Sequence, residues 1–228
     1  MLESFRRPDA PPLNYKTDAE LRFIIDNREN YLPESVLGAM AELKNRGTEF
    51  SDEEVQVVEE DMQARMEIAE RTAQSSTFFA DSGSDLQVGD PDAYQFYSRR
   101  VIKLFTFFFS PVFGAILMAM NISKTKNNAA IPRVILFGLG AIFAENVIAA
   151  VVGLSAFINI AFAFANAYLI DMLFWDKYIG KATLYKARNF WTPLIIGIVL
   201  SILLVVATLH QLNSTHALDN FLQNGRTK

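Results

Sequence analysis

The sequence predicts an all-α membrane protein: a four-helix transmembrane bundle with a small acidic helical head at its N-terminus. Two observations predict it. Four apolar runs, at 101–122, 134–152, 155–175 and 191–209, each hold about 20 residues, and a helix of that length spans the roughly 30 Å of a bilayer core. Charge is also divided along the chain. Residues 1–98 hold 9 Lys and Arg against 21 Asp and Glu, whereas residues 99–228 hold 12 against 4. An acidic polar part therefore precedes a basic apolar one.

The first 16 residues are polar and rich in proline, and are expected to form a disordered tail. They contain no apolar stretch of the kind a signal peptide needs, so insertion is expected to use the internal helices. The head is expected over residues 17–74. Thr17 and Glu20 form a capping-box pattern that opens a first helix with Leu21, Ile24 and Ile25 on one face. Pro33 is suited to the first turn of a second helix and Gly47 to its end, with Val36, Leu37, Met40 and Leu43 between them. Ser51 and Glu54 repeat the capping pattern before a third helix. Its stripe of Val55, Val58, Met62, Met66 and Ala69 suits packing in the head or self-association through a short seam. A unit of this size buries little by itself and is expected to lean on the membrane part, a partner or a second copy.

Residues 75–92, rich in Ser, Gly and Asp, are expected to be a linker. Asp81, Asp85 and Asp92 fit three positions of a calcium loop, but Leu86 stands where that loop requires glycine.

The segment containing Tyr31, Pro33 and Glu34, then Ala39 or Ala41, Glu42, Leu43, Arg46 and Gly47, followed by FSDEE, resembles a helical segment of uncharacterised bacterial proteins. The run FFFSPVFGAILMAMNIS resembles the first membrane helix of uncharacterised bacterial multi-pass proteins. The resemblance implies a bacterial inner-membrane protein and brings no activity with it.

The transmembrane domain is expected over residues 93–210, with a C-terminal tail at 211–228. Pro111 is expected to kink the first span, and Ser110 with Gly114 to let another helix approach closely. Gly153 and Ser155 mark a tight turn between the second and third spans, while Trp175 and Trp191 bracket the next loop. That loop carries Lys177, Lys181, Lys186 and Arg188, which suit either topology determination or anionic lipid head groups.

Small and polar residues fall on one face of each later span, and those faces are assigned to the bundle interior. Among them is an intramembrane polar cluster of Glu145, Asn146, Asn159 and Asn166. A turn at Gly153 brings Asn159 and Asn166 to either side of Glu145, so a hydrogen bond from Glu145 to one of them is expected. Four spans place both termini on one side. The two far loops hold seven Lys and Arg against three beside the first span, which favours cytoplasmic loops. Export of a whole head without a signal peptide opposes this, and cytoplasmic termini are favoured by a small margin.

No catalytic constellation is visible. The chain has no cysteine, which excludes disulfides and thiolate chemistry. The glycine and lysine of YIGKAT lack the other residues of a phosphate loop, and His210 and His216 have no acidic partner motif. No cofactor or metal is expected. The acidic head argues against nucleic-acid binding. The expected function is that of a non-enzymatic membrane subunit that oligomerises or recruits a partner through its head. The alternative is a small ion- or solute-transporting protein with Glu145 as its intramembrane site.

Overall fold

The computed structural model describes residues 5–75, 86–153 and 156–225, and is mostly helical. The chain divides into two units, Met1–Arg188 and Asn189–Lys228.

In the first unit the head forms from local signals. The Thr17 hydroxyl accepts the Glu20 amide at 3.3 Å while the Glu20 carboxylate accepts the Thr17 amide at 2.7 Å. This capping box starts α1, Asp18–Asp26. Helix α2, Pro33–Asn45, has proline in its first turn. It ends where Gly47 adopts φ +90° and the Thr48 amide donates back to Leu43 at 2.9 Å, a turn that satisfies two late carbonyls. Helix α3 runs over Asp52–Ser75. Leu21, Ile24, Val36, Met40, Val58 and Met62 meet in one buried core. The α3 stripe therefore packs inward through Val58 and Met62, whereas Met66 is exposed.

Of the expected tail, residues 1–4 lie outside the described residues, and residues 5–16 make specific contacts. Leu13 packs on the head core, Arg6 pairs with Ala93 in an antiparallel bridge, and Arg46 donates to the carbonyls of Asn14 and Lys16. Residues 5–16 thus form a strap, fixed by Arg46 and Asp92, both distant in sequence.

The expected linker is partly structural as well. Its residues 76–85 lie outside the described residues, and with them Asp81 and Asp85. Beyond them Asp90 is buried, and its carboxylate accepts the Leu32 amide at 3.1 Å and the Asp92 amide at 2.8 Å. Asp92 in turn pairs with Arg6 at 3.0 Å and Lys16 at 3.7 Å. Burial, and then the charges of Asp90 and Asp92, push the Tyr31 phenol above its usual range, so it remains protonated beside this joint. The head leans on the membrane part of its own chain. An extended stretch then carries β1, Gln95–Phe96, which pairs in parallel with β2, Lys186–Ala187.

The first apolar run does not form a single span. It makes two short helices, α4, Arg99–Phe108, and α5, Pro111–Ile122, which fold back on one another. Pro111 lacks an amide to donate and pushes Ser110 into extended backbone, φ −179° and ψ 159°, where the Ser110 hydroxyl caps α5. The proline thus reverses the chain instead of kinking a through-going helix. The antiparallel arrangement is fixed at its mouth, where Asn121 accepts the Tyr97 amide at 2.9 Å and donates to the Tyr97 carbonyl at 2.8 Å. Near the reversal, a Cβ on Gly114 would run into the Thr106 hydroxyl and lie 2.9 Å from the Thr106 Cβ, so glycine allows the two helices this close.

A longer hairpin follows. Helix α6, Ile131–Val152, ends at Gly153, whose φ of +90° suits glycine. Helix α7, Ala156–Ile170, returns and continues as a π-helix, Asp171–Ile179. Asn127 donates to the Tyr178 carbonyl at 2.9 Å and Arg133 to the Tyr178 hydroxyl at 3.2 Å, closing the mouth of this hairpin. Both hairpins open onto one polar base, formed by residues 86–97, the turn after α5 and residues 180–188.

The second unit is one helix, α8, Trp191–Gly225. It passes the expected span and tail boundary without a break, and the hydroxyls of Ser201 and Thr208 bond back to its own carbonyls. Among the described residues three helices are long and apolar enough to cross a membrane, at Asn128–Val151, Ala156–Ile179 and Trp191–Gln211. The expected four spans become three, because the first run is split, and the even count that placed both termini on one side no longer applies.

Candidate functional site

Charge is concentrated inside the base, at the foot of α4. Ser98 caps this helix by accepting the Val101 amide at 3.2 Å, which puts Arg99 in the first turn and Lys103 one turn later on the same face. Both are buried, Arg99 to 5% exposure. Facing them, the π-helix presents Asp171 and Asp176. In an α-helix, residues five apart point about 140° away from each other, whereas the wider turn closed by i to i+5 bonds brings them toward one side of the helix. The Gly180 amide donates to the Trp175 carbonyl at 2.9 Å in this wide pattern.

The result is an alternating row of charge. The Lys103 ammonium lies 3.9 Å from Asp171, and Asp171 lies 3.6 Å from the Arg99 Nε. The other end of the Arg99 guanidinium bonds to Asp176, which lies 3.6 Å from Lys181. Three cations thus alternate with two anions. The guanidinium also sits 5.2 Å over the ring of Trp175, itself fully buried against Phe96 and Tyr185, and the Trp175 indole donates to the Gly180 carbonyl at 3.1 Å. The Arg99 Nε and Asp171 Oδ1 face each other without a hydrogen bond. The arrangement can clamp α4 to α7. Among the described residues, no group of three His, Cys, Asp or Glu side chains gathers as a metal site.

The sequence-derived residues are placed as follows. Glu145 is half-buried on α6. Asn146 is exposed and donates to the Ile142 carbonyl at 2.8 Å, within its own helix. Asn159 is half-buried, while Asn166 is 5% exposed with its amide nitrogen unbonded. Among the described residues no hydrogen bond joins Glu145 to either Asn159 or Asn166. Of the basic loop residues, Lys177 is exposed over the ring of Tyr178 at 5.5 Å, and Lys181 is exposed beside Asp176. Lys186 donates its amide to the Tyr94 carbonyl at 2.8 Å, and the Arg188 guanidinium lies 4.7 Å over the ring of Tyr97.

Sequence reasoning missed the row at Arg99, Lys103, Asp171 and Asp176. Asp171 lies inside the third apolar run, where it is a second acid within an expected span beside Glu145. The available signals were two acids five residues apart around a tryptophan, and two cations four residues apart at the start of an apolar run. The chain matches no protein-family model, no curated protein and no solved structure at a significant level.

Proposed function

We propose that the protein is a non-enzymatic, multi-pass membrane subunit whose acidic head recruits a protein partner or a second copy to one membrane face. The observation that carries this reading is the mounting of the head. The buried Asp90 carboxylate and the residue 5–16 strap tie it to the membrane base, and its outer surface keeps Phe23, Val57 and Ile68 exposed among acids. A rigidly held surface that mixes acids with exposed apolar groups is suited to binding a protein. The polar base carries ten Lys and Arg between residues 99 and 188, whereas the described residues at the far turn, Val151 to Gly153 and Ala156, carry no charge. The positive-inside tendency therefore favours a cytoplasmic base and head. Lys177, Lys181, Lys186 and Arg188 on this base suit contact with anionic lipid head groups.

Cross-linking in native membranes, followed by purification of the full chain, tests the reading. A discrete oligomer or hetero-complex that disappears with Phe23→Asp or Ile68→Asp is expected. A strictly monomeric protein that retains no partner would overturn it.

A second reading rests on Glu145, which is half-buried deep in α6, one leg of a membrane hairpin that also holds the unbonded Asn166 amide. An acid there suits coupling to an ion or proton. Glu145→Gln should then leave a folded protein without solute-dependent flux in reconstituted vesicles. Wild-type vesicles that pass no ion or solute under any imposed gradient would remove this reading.

A further inference from the structure

The α4–α5 hairpin is too short to cross a bilayer, yet it is built for hydrocarbon. Its helices have 10 and 12 residues, about 15 and 18 Å, or half of a core of roughly 30 Å. Its two ends are held side by side by the paired hydrogen bonds between Tyr97 and Asn121. Phe107, Phe108 and Phe109 lead into its reversal at Ser110 and Pro111, with Phe108 70% exposed. Polar residues mark the mouth and aromatic residues the tip, opposite to the order expected for a hairpin standing in water.

The longer hairpin gives the depth of that tip. Gly138 on α6 lies against the backbone at the start of α5, where a Cβ would meet the Val112 Cα at 3.0 Å and the Pro111 carbonyl at 3.1 Å. Phe107 packs on Phe164 of α7 with ring centroids 4.7 Å apart. Helix α6 runs on about 20 Å beyond Gly138, and about 12 Å of α7 lies on the far side of Phe164. Those continuations carry exposed Phe143, Val147, Val151 and Phe157 and require hydrocarbon around them. A bilayer that covers them necessarily submerges the shorter tip as well.

We propose that α4–α5 is a single-leaflet anchor: it enters and leaves the bilayer on the head side, its phenylalanine tip lies near the midplane, and its partner is the acyl-chain layer of that one leaflet. This places the head and the turn after α5 on the same side of the membrane. It rests on the membrane location used above and is independent of whether the head binds a partner.

The chain has no cysteine, so single-cysteine variants of the full protein report position directly. Glu53→Cys marks the exposed head and Lys124→Cys the exposed turn after α5. An impermeant maleimide should label both from the same side in sealed, oriented membranes, with labelling lost at both when the opposite side is presented. Labelling of the two from opposite sides would overturn the proposal, because the first run would then cross. A nitroxide on Phe108→Cys should be reached by oxygen and shielded from a water-soluble relaxation agent, whereas the same label at Lys124→Cys should show the reverse. Equal access of the aqueous agent to both positions would place the tip outside the bilayer and overturn the proposal equally. Failure of the recruitment reading would leave both results unchanged.

Discussion

The two apolar hairpins of the first unit solve the same problem with different means. The long one, α6 and α7, reverses at a glycine with φ +90°. The short one reverses at Ser110 and Pro111 and is held by specific polar contacts: the Asn121 amide across its mouth, and the charge row that joins its first helix to the π-helix. Helix pairs in hydrocarbon gain nothing from burying more apolar surface, so a short hairpin depends on close backbone approach and satisfied polar groups. The comparison teaches that the short hairpin is a closely approached pair closed by its own polar contacts, whereas the legs of the long one touch each other little and pack chiefly on the short hairpin between them.

The largest effect that could break this comparison should come from Asp171→Ala. It removes the anion between Arg99 and Lys103 and leaves buried positive charge in excess, a loss on the order of 3–5 kcal/mol. Thermal unfolding of the detergent-solubilised protein should show a clear drop in midpoint, and an unchanged midpoint would show that the row does not hold α4. Asn121→Leu should come next. It leaves the Tyr97 amide and carbonyl buried without partners, at about 1–3 kcal/mol, and should speed hydrogen exchange at the mouth of the short hairpin while sparing α6. Gly114→Ala tests close approach, since its added Cβ meets Thr106, and roughly 1–3 kcal/mol of strain is expected. The matching control, Gly140→Ala in the long hairpin, meets nothing within 4 Å and should change the midpoint least, with a slight gain of helix stability. If Gly114→Ala proves as mild as Gly140→Ala, the contrast between the hairpins fails.

Much of the head was legible because its signals are local. Thr17 with Glu20, Pro33 at a helix start and Gly47 at a helix end each act within a few residues, and the apolar stripes behind them found the core. The membrane half was read by length, and length misled at the first run. Twenty-two apolar residues satisfy the requirement for a span whether or not the chain turns back midway. The turning information lay in Ser110 followed by Pro111 and in the polar Asn121, whose partner Tyr97 stands 24 residues earlier. The charge row was hidden for a related reason. Asp171 reads as an isolated acid near the end of an apolar run until the π-helix aligns it with Asp176 and both meet Arg99, 72 and 77 residues away. The strap at residues 5–16 likewise depends on Arg46 and Asp92, which no local pattern connects to it.

The Asp90 joint has a consequence for how the head meets other molecules. A head on a flexible tether searches a volume and presents its surface in every orientation. Here the carboxylate of Asp90 grips the Leu32 backbone from within the base, and the strap closes the other side. The head is therefore carried like a bracket, at a constant height and heading above the lipid. If the head recruits a partner as proposed, one diffusing in the same membrane would meet it in two dimensions at one permitted angle, which would raise the effective concentration for matching geometry and remove it for any other.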